Sequence, residues 1–301
     1  MLTLILTLIL VLLFVCFRYD IIKYIPKSLR YKSIIGENVV ITGAGGGLGR
    51  LLALQFAKYG ANLALIDINS SDLRDTKQLI EKQYKVNIKD YVCDLADRQV
   101  VYKTSDKINE DFGFISILVN NAGVLYGKTF LELNDQNIIN TFNVNAISNF
   151  WTIKSFLPNM LTKNRGHIVN IVSISGLSGV VKQSDYCSSK FAVIGLTESL
   201  RYELLKRDNN QIKTTIVCPT FFDTPLVSGV RPTNQITILD PNCVAEQAMD
   251  AVLSNKEMIV VPNHLNLIFI LKALLPISVF DVIFRFIGGY DVMQHFKGRK
   301  Y

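Results

Sequence analysis

The chain has 301 residues, 49% of them hydrophobic, enough for one large α/β domain or two small ones around a sizeable core. Its five cysteines (Cys16, Cys93, Cys187, Cys218, Cys243) are odd in number, scattered and never spaced Cys-x-x-Cys, which argues against a disulfide framework or a metal site and predicts reduced thiols. The net charge of +7 is no nucleic-acid signature, because residues 18–32 alone carry Arg18, Lys23, Lys27, Arg30 and Lys32 against Asp20, a local balance of +4.

That basic cluster follows Leu2 to Phe17, sixteen uncharged and almost wholly apolar residues that as a helix would reach about 24 Å. A bilayer core of roughly 30 Å asks for about 20 residues, so a short span, a tilted interfacial helix and a monotopic hairpin all remain open. A cleaved signal peptide competes, but no basic residue precedes the run and no small-x-small pattern follows it. Residues 1–17 are therefore expected to be a membrane anchor and 18–35 a basic juxtamembrane linker. Positive charge on the C-terminal flank then puts the rest of the chain in the cytosol, with lipid headgroups as the partner of the linker. In that setting the acceptor-like Asn69-Ser70-Ser71 is accidental.

From about residue 36 short β-branched runs alternate with longer amphipathic stretches, which predicts a doubly wound parallel sheet wrapped by helices, a Rossmann-type α/β domain spanning 36–301. The strand candidates are Asn38–Thr42, Asn62–Asp67, Asn87–Cys93, Ile115–Asn120, Gly166–Ser173, Lys213–Cys218 and Met258–Val261; Leu48–Tyr59, Asp72–Gln83 and Ser184–Arg207 have helical length and spacing. Directly after the first strand comes Thr42-Gly43-Ala44-Gly45-Gly46-Gly47-Leu48-Gly49. Gly43, Gly47 and Gly49, with Leu48 between the last two, would let backbone amides approach a pyrophosphate at a helix N-terminus; the plain alternative is a tight strand-to-helix turn. Asp67 ends the second strand eighteen residues past Gly49, where its carboxylate would accept both ribose hydroxyls and repel a 2′-phosphate, favouring NAD without excluding NADP. Its alternative is a cap or a solvated turn residue. Arg50 beside the phosphates would soften the preference unless it points elsewhere.

Asp94 follows the third strand and Asn120-Asn121-Ala122-Gly123 the fourth, at the carboxyl edge where such sheets bind ligands. Asp94 is a candidate for the adenine amino group or simply a cap; Asn121 is a candidate cofactor residue or a brace of the sheet edge. Ser173 then stands thirteen residues before Tyr186, and Lys190 four after it. On a helix, residues four apart share a face, so the Lys190 ammonium would sit beneath the Tyr186 phenol and favour its ionised form. Bringing a phenol from about 10 down by about three units takes roughly 4 kcal/mol, for which Lys190 and an oxidised nicotinamide are both candidate sources. Residues 220–242, with Pro225, Gly229, Pro232 and Pro241 and no sustained period, form a long connection next to the site, of the kind that often serves as a lid. From about 263 the chain continues as a helical extension. Its apolar region Leu265–Gly289, broken by Lys272, Pro276, Asp281 and Arg285, reads as an amphipathic helix pair that either faces a membrane or packs on the core.

Through Thr42–Gly49, Asn120–Gly123, Asn145, Ser173 and Tyr186 with Lys190, the chain resembles the short-chain dehydrogenase/reductase family over about residues 36–262. The resemblance implies a nicotinamide-dependent oxidoreductase with Tyr186 as general base or acid, Ser173 as donor to the reacting oxygen and Lys190 as ribose ligand and phenol tuner. It also implies that Asn145, with Asn143 as its rival, holds a relay water, and that Thr224 offers a hydroxyl to the carboxamide. Cys218-Pro219-Thr220 departs from the family's Pro-Gly, which would restrict the turn. The apolar N-terminus, Phe150-Trp151-Thr152, Tyr186 to Lys190 and the ending Phe296-Lys297-Gly298-Arg299 resemble the membrane-associated group of retinol dehydrogenases and 17-beta-hydroxysteroid dehydrogenases. That group implies a lipophilic alcohol, ketone or aldehyde and an endoplasmic reticulum or lipid-droplet surface; the family as a whole implies a dimer or tetramer packed through the helix bearing the Tyr-Lys pair, and a homodimer is expected here. A catalytically silent membrane or lipid-droplet scaffold that keeps the fold is the alternative from a different class.

Overall fold

The computed structural model describes Thr7, residues 26–233 and residues 236–298. Apart from Thr7, the expected anchor at 1–17 lies outside the described residues, as do residues 18–25 of the linker and Arg299. Among the described residues no helix is long and apolar enough to cross a membrane.

Seven strands, β1 Asn38–Thr42, β2 Asn62–Asp67, β3 Ile88–Val92, β4 Ile117–Asn120, β5 Gly166–Ile171, β6 Ile212–Pro219 and β7 Met258–Val261, form one sheet in the order β3-β2-β1-β4-β5-β6-β7. Every pairing is parallel. The helices that connect them are α1 Gly47–Lys58, α2 Ser70–Gln83, α3 Arg98–Phe112, α4 Asp135–Phe142, α5 Ser148–Lys163, α6 Ser184–Leu205 and α7 Pro241–Leu253. Strand residues alternate between two buried faces: Val39, Ile41, Leu63 and Leu65 meet α1, α2 and α7 through Leu52, Phe56, Leu73, Ile80 and Val252. Val40, Ile66, Leu118 and Ile168 meet α3, α5 and α6 through Ile108, Phe156, Met160 and Leu200. Burial on both faces is why the strands read as continuous apolar runs rather than as an alternation. Side-chain caps start α2, α3 and α7: Asn69 Oδ1 accepts from the Ser71 and Asp72 amides, and Asp97 and Asp240 cap α3 and α7 in the same way. The glycosylation-like asparagine is thus a helix cap.

Because β1 lies between β2 and β4, connections leave it in both directions and a crevice opens at the carboxyl ends of those strands. The fifth strand is shorter than expected, since the chain leaves the ladder after Ile171 to turn at Ser173, whose Oγ accepts from the Ser175 amide at 3.1 Å. The connection 220–242 folds back on itself through a short turn at Pro225–Val227 and a parallel bridge between Phe222 and Leu239.

The end of the linker docks at the opposite edge of the sheet. Asp250 on α7 accepts from Arg30 (2.7 Å), from the Tyr31 hydroxyl (2.5 Å) and from Lys256 (2.8 Å), and burial followed by this carboxylate pushes the Tyr31 phenol up to about 12. Lys32 Nζ lies 2.6 Å from Nδ1 of the fully buried His167, whose Nε2 is 2.8 Å from Thr215 Oγ1. Thr215 Oγ1 in turn donates to the Lys256 carbonyl at 2.6 Å, which assigns a neutral ring with its proton on Nε2. Burial, reinforced by Lys32 and Lys213, holds the His167 pKa well below its ordinary 6.5. As pH falls through about 6.5 the unfolded ring takes a proton that the folded ring refuses, so stability is lost at up to ~1.4 kcal/mol per pH unit. We expect the melting-temperature gap between wild type and His167→Asn to narrow on going from neutral to mildly acid buffer; parallel curves would exclude this assignment.

Two further helices follow β7, α8 Asn266–Leu274 and α9 Ile277–Phe286, split at Pro276 as the sequence suggests. Phe280 turns inward, while Leu267, Leu274, Ile277, Val282 and Phe286 stand exposed. The pair therefore packs on the body and also presents an apolar outer face.

Candidate active site

A cavity of about 700 Å³ occupies the crevice at the carboxyl ends of the strands. Gly43, Gly47, Leu48, Asp67, Asp94, Asn121, Ser173, Tyr186, Lys190 and Thr224 all line it. Asn145 lies just behind.

At one end β1 passes into α1 through the glycine run. Gly46 caps α1 without a side chain, and no acidic residue follows in the first turn, so the helix N-terminus is left to its backbone amides. A Cβ on Gly49 would lie 2.0 Å from the Gly43 carbonyl oxygen, and Gly43 itself has φ +66°, so neither accepts a side chain. The Thr224 methyl sits 3.6 Å from where a Cβ of Gly47 would be, which brings the loop after β6 across this turn. Asp67 Oδ2 accepts from the Gly45 amide at 2.8 Å and Oδ1 from the Asn69 amide at 3.0 Å. An ionised carboxylate has about four acceptor positions, so two remain for a ligand. Arg50 also lines the cavity, with its guanidinium held by protein: it donates to the Gly45 carbonyl (2.5 Å), the Asp72 carbonyl (3.2 Å) and Thr76 Oγ1 (2.9 Å). These features fit a dinucleotide: an uncapped helix end for the pyrophosphate, and a carboxylate for a ribose.

Asp94 is exposed and accepts from the Ala96 amide at 2.8 Å, holding its own turn at the cavity rim. Asn121 Nδ2 donates to the Thr42 carbonyl at 2.9 Å and the Gly43 carbonyl at 3.3 Å, bracing β4 against the glycine turn. Thr220 shows no positive φ, and its amide donates to the Val261 carbonyl at 2.8 Å, so this turn does not need the glycine it lacks.

At the other end α6 carries Tyr186 and Lys190, both buried, with Nζ 5.5 Å from the centre of the phenol ring. Lys190 donates to the Ile171 carbonyl at 3.1 Å, and burial lowers its pKa to about 8. A cation held so close favours the ionised phenol. Ser173 Oγ donates only a long bond, 3.4 Å to the Pro219 carbonyl, so its proton is cheaply redirected. Asn145 sits in a π-helical turn, Asn143–Ile147, between α4 and α5. Its Oδ1 accepts from the Val124 amide (2.8 Å) and its Nδ2 donates to the Val124 carbonyl (3.0 Å) and Ser189 Oγ (3.1 Å). A Cβ on Gly123 would lie 3.4 Å from Asn145 Oδ1 and 3.7 Å from Lys190 Nζ, so both groups border that glycine. Asn143 does not line the cavity. Cys187, next to Tyr186, is buried and its thiol is pushed up, which makes it a poor nucleophile.

Sequence reasoning missed a buried relay. Ser175 Oγ donates to Gln183 Oε1 at 2.8 Å, and Gln183 Nε2 donates to Met293 Sδ at 3.2 Å, tying the Ser173 turn and the start of α6 to the C-terminal segment. That segment is strapped to the loop after β6 by the Lys297 and Gly298 amides, both donating to the Ser228 carbonyl (2.8 and 3.1 Å). The Phe296 ring occupies the space at Gly127, where a Cβ would come within 2.1 Å of it. No local pattern signals a contact between residues 110 apart. Gln183→Leu removes the amide acceptor of the buried Ser175 hydroxyl, and we expect kcat to fall about tenfold with dinucleotide affinity unchanged. Steady-state kinetics alongside a fluorescence titration checks this.

Fold and cavity together define an oxidoreductase that works with a bound nicotinamide dinucleotide. The short chain dehydrogenase family model matches residues 37–235, and the chain belongs to the short-chain dehydrogenase/reductase family. It is 41% identical to mouse (Mus musculus) epidermal retinol dehydrogenase 2 over 271 residues, 89% of this chain and 88% of that protein. A short chain dehydrogenase/reductase from Burkholderia phymatum, solved with NAD, superposes with a TM-score of 0.72 at 26% identity, covering 80% of this chain and 94% of that one. An alcohol dehydrogenase from the archaeon Thermococcus sibiricus, solved with 5-hydroxy-NADP, gives 0.66 at 25% identity, covering 74% and 95%.

Proposed function

We propose that the protein oxidises a lipophilic alcohol with NAD, a retinoid foremost, at an endoplasmic reticulum or lipid-droplet surface facing the cytosol. The observation that carries the chemistry is the buried Lys190 ammonium 5.5 Å from the centre of the Tyr186 ring on the cavity wall. The likeness to a retinol dehydrogenase supports the substrate class.

The uncapped start of α1, with Gly43, Gly47, Leu48 and Gly49, would hold the pyrophosphate, Asp67 the adenosine ribose, Asp94 the adenine, Thr224 the carboxamide and Lys190 the second ribose. Bound there, the dinucleotide supplies a ring carbon that accepts a hydride from the alcohol carbon or returns it. Tyr186 takes the alcohol proton on its phenolate oxygen, and Ser173 turns its hydroxyl from Pro219 to the oxygen on which charge develops. Lys190, with a pKa of about 8, keeps its charge below that pH and so keeps the phenolate accessible near neutrality. Both Nδ2 hydrogens of Asn145 are taken by Val124 and Ser189, so a relay water would donate to its main-chain carbonyl or to the second acceptor position of Oδ1, in a π turn of the kind frequent at functional sites.

Asp67, and the engagement of the Arg50 guanidinium by Gly45, Asp72 and Thr76, favour NAD. The exposed apolar face of α8–α9, together with the apolar residues 2–17, supports membrane contact. Exposed Phe191, Tyr202 and Leu205 on α6 support a homodimer through that helix. The complete Ser173, Tyr186 and Lys190 set weighs against a silent scaffold. The test is a panel of retinol, steroid and long-chain alcohols given with NAD and with NADP to membrane-reconstituted protein. Turnover of retinol with NAD is expected; no turnover of any lipophilic alcohol with either dinucleotide would reject the reading.

A further inference from the structure

A second, smaller chamber of about 70 Å³ lies beside the active cavity, under the α8–α9 hairpin. Ile174, Thr220 and Phe221 belong to the walls of both spaces, so one layer of side chains separates them. Phe221 is buried in the same apolar cluster as Tyr186, and its carbonyl accepts from the Leu239 amide at 2.9 Å, which fixes the partition within that cluster. Beyond it the chamber is lined mainly by carbon, with Ile268 from α8 and the inward-turned Phe280 from α9 on its far side. A pocket of this kind suits hydrocarbon better than water. The active cavity has to hold a dinucleotide as well as the alcohol, and an elongated substrate needs room beyond it. Thr220, in place of the glycine that the resemblance implies, puts a side chain into this wall.

We infer that the chamber takes the far end of an elongated apolar alcohol, with Phe221 and Thr220 as the partition that sets chain-length preference. This rests on the alcohol-oxidation reading. The head of the substrate stays between Ser173 and Tyr186, and its tail passes Phe221 toward α8 and α9. Filling the chamber should therefore penalise long alcohols alone, and thinning the partition should favour them.

The experiment compares dodecanol with butanol, each with NAD, on the full chain in phosphatidylcholine vesicles. Ile268→Trp is expected to lower kcat/KM for dodecanol by about tenfold or more while butanol stays within about twofold, and Phe221→Ala to shift the ratio toward dodecanol. Ser178→Leu fills the opposite wall and carries the test if Ile268→Trp lowers the melting temperature. Filling variants that keep the wild-type melting temperature and change both alcohols by the same factor, or neither, overturn the inference. Loss of turnover with both alcohols in the wild type strikes the oxidation reading instead.

Discussion

Tyr186→Phe is expected to lower kcat by about 10²–10⁴-fold, the usual weight of a positioned general base, while leaving dinucleotide affinity close to wild type. Only the hydroxyl is removed; the ring that packs in the cluster with Leu125, Phe221 and Met293 is kept, so the melting temperature should hold. Lys190→Met should do as much damage to kcat and additionally weaken dinucleotide binding, because the ammonium faces both the phenol and the proposed ribose position. Comparing the pair separates proton transfer from cofactor contact. If Tyr186→Phe turned over retinol at the wild-type rate, the phenol would have no part in the chemistry.

Asp67 is the second strong test. Asp67→Ala is expected to cost about ten- to hundredfold in kcat/KM with NAD, the worth of hydrogen bonds to a charged group, and to raise kcat/KM with NADP so that the preference reverses. The same substitution releases the Gly45 and Asn69 amides, so some loss of stability should accompany it. Asp67→Asn, which keeps one acceptor and loses the charge, should move cofactor preference with a smaller thermal effect. A wild-type enzyme that already runs faster with NADP would mean that the carboxylate does not act on the 2′ position.

Much of this site was legible because its parts are local. The glycine run, Asp67 at a strand end and the four-residue step from Tyr186 to Lys190 each encode their geometry within one turn of chain. The parallel sheet was legible too, since strands buried on both faces leave apolar runs such as Asn38–Thr42 that nothing else explains. What escaped was long-range or depended on competing hydrogen bonds. Arg50 reads as a phosphate neighbour, but Gly45, Asp72 and Thr76 claim its guanidinium. Asn145 reads as helical, but the chain widens there into a π turn so that its amide can reach Val124 and Ser189. Gln183 and Met293 carry no signature at all, because their contact exists only once the C-terminal strap has folded over the site.

The most direct measurement supplies membrane-reconstituted protein with NAD and retinol deuterated at the carbinol carbon, then follows the label by mass spectrometry. Deuterium should appear in the reduced nicotinamide, with a slowed rate in wild type and a rate of labelling about 10²–10⁴-fold lower in Tyr186→Phe. Unlabelled reduced cofactor, or equal rates of labelling in Tyr186→Phe and wild type, would contradict hydride transfer in this cavity under control of the Tyr186 phenol.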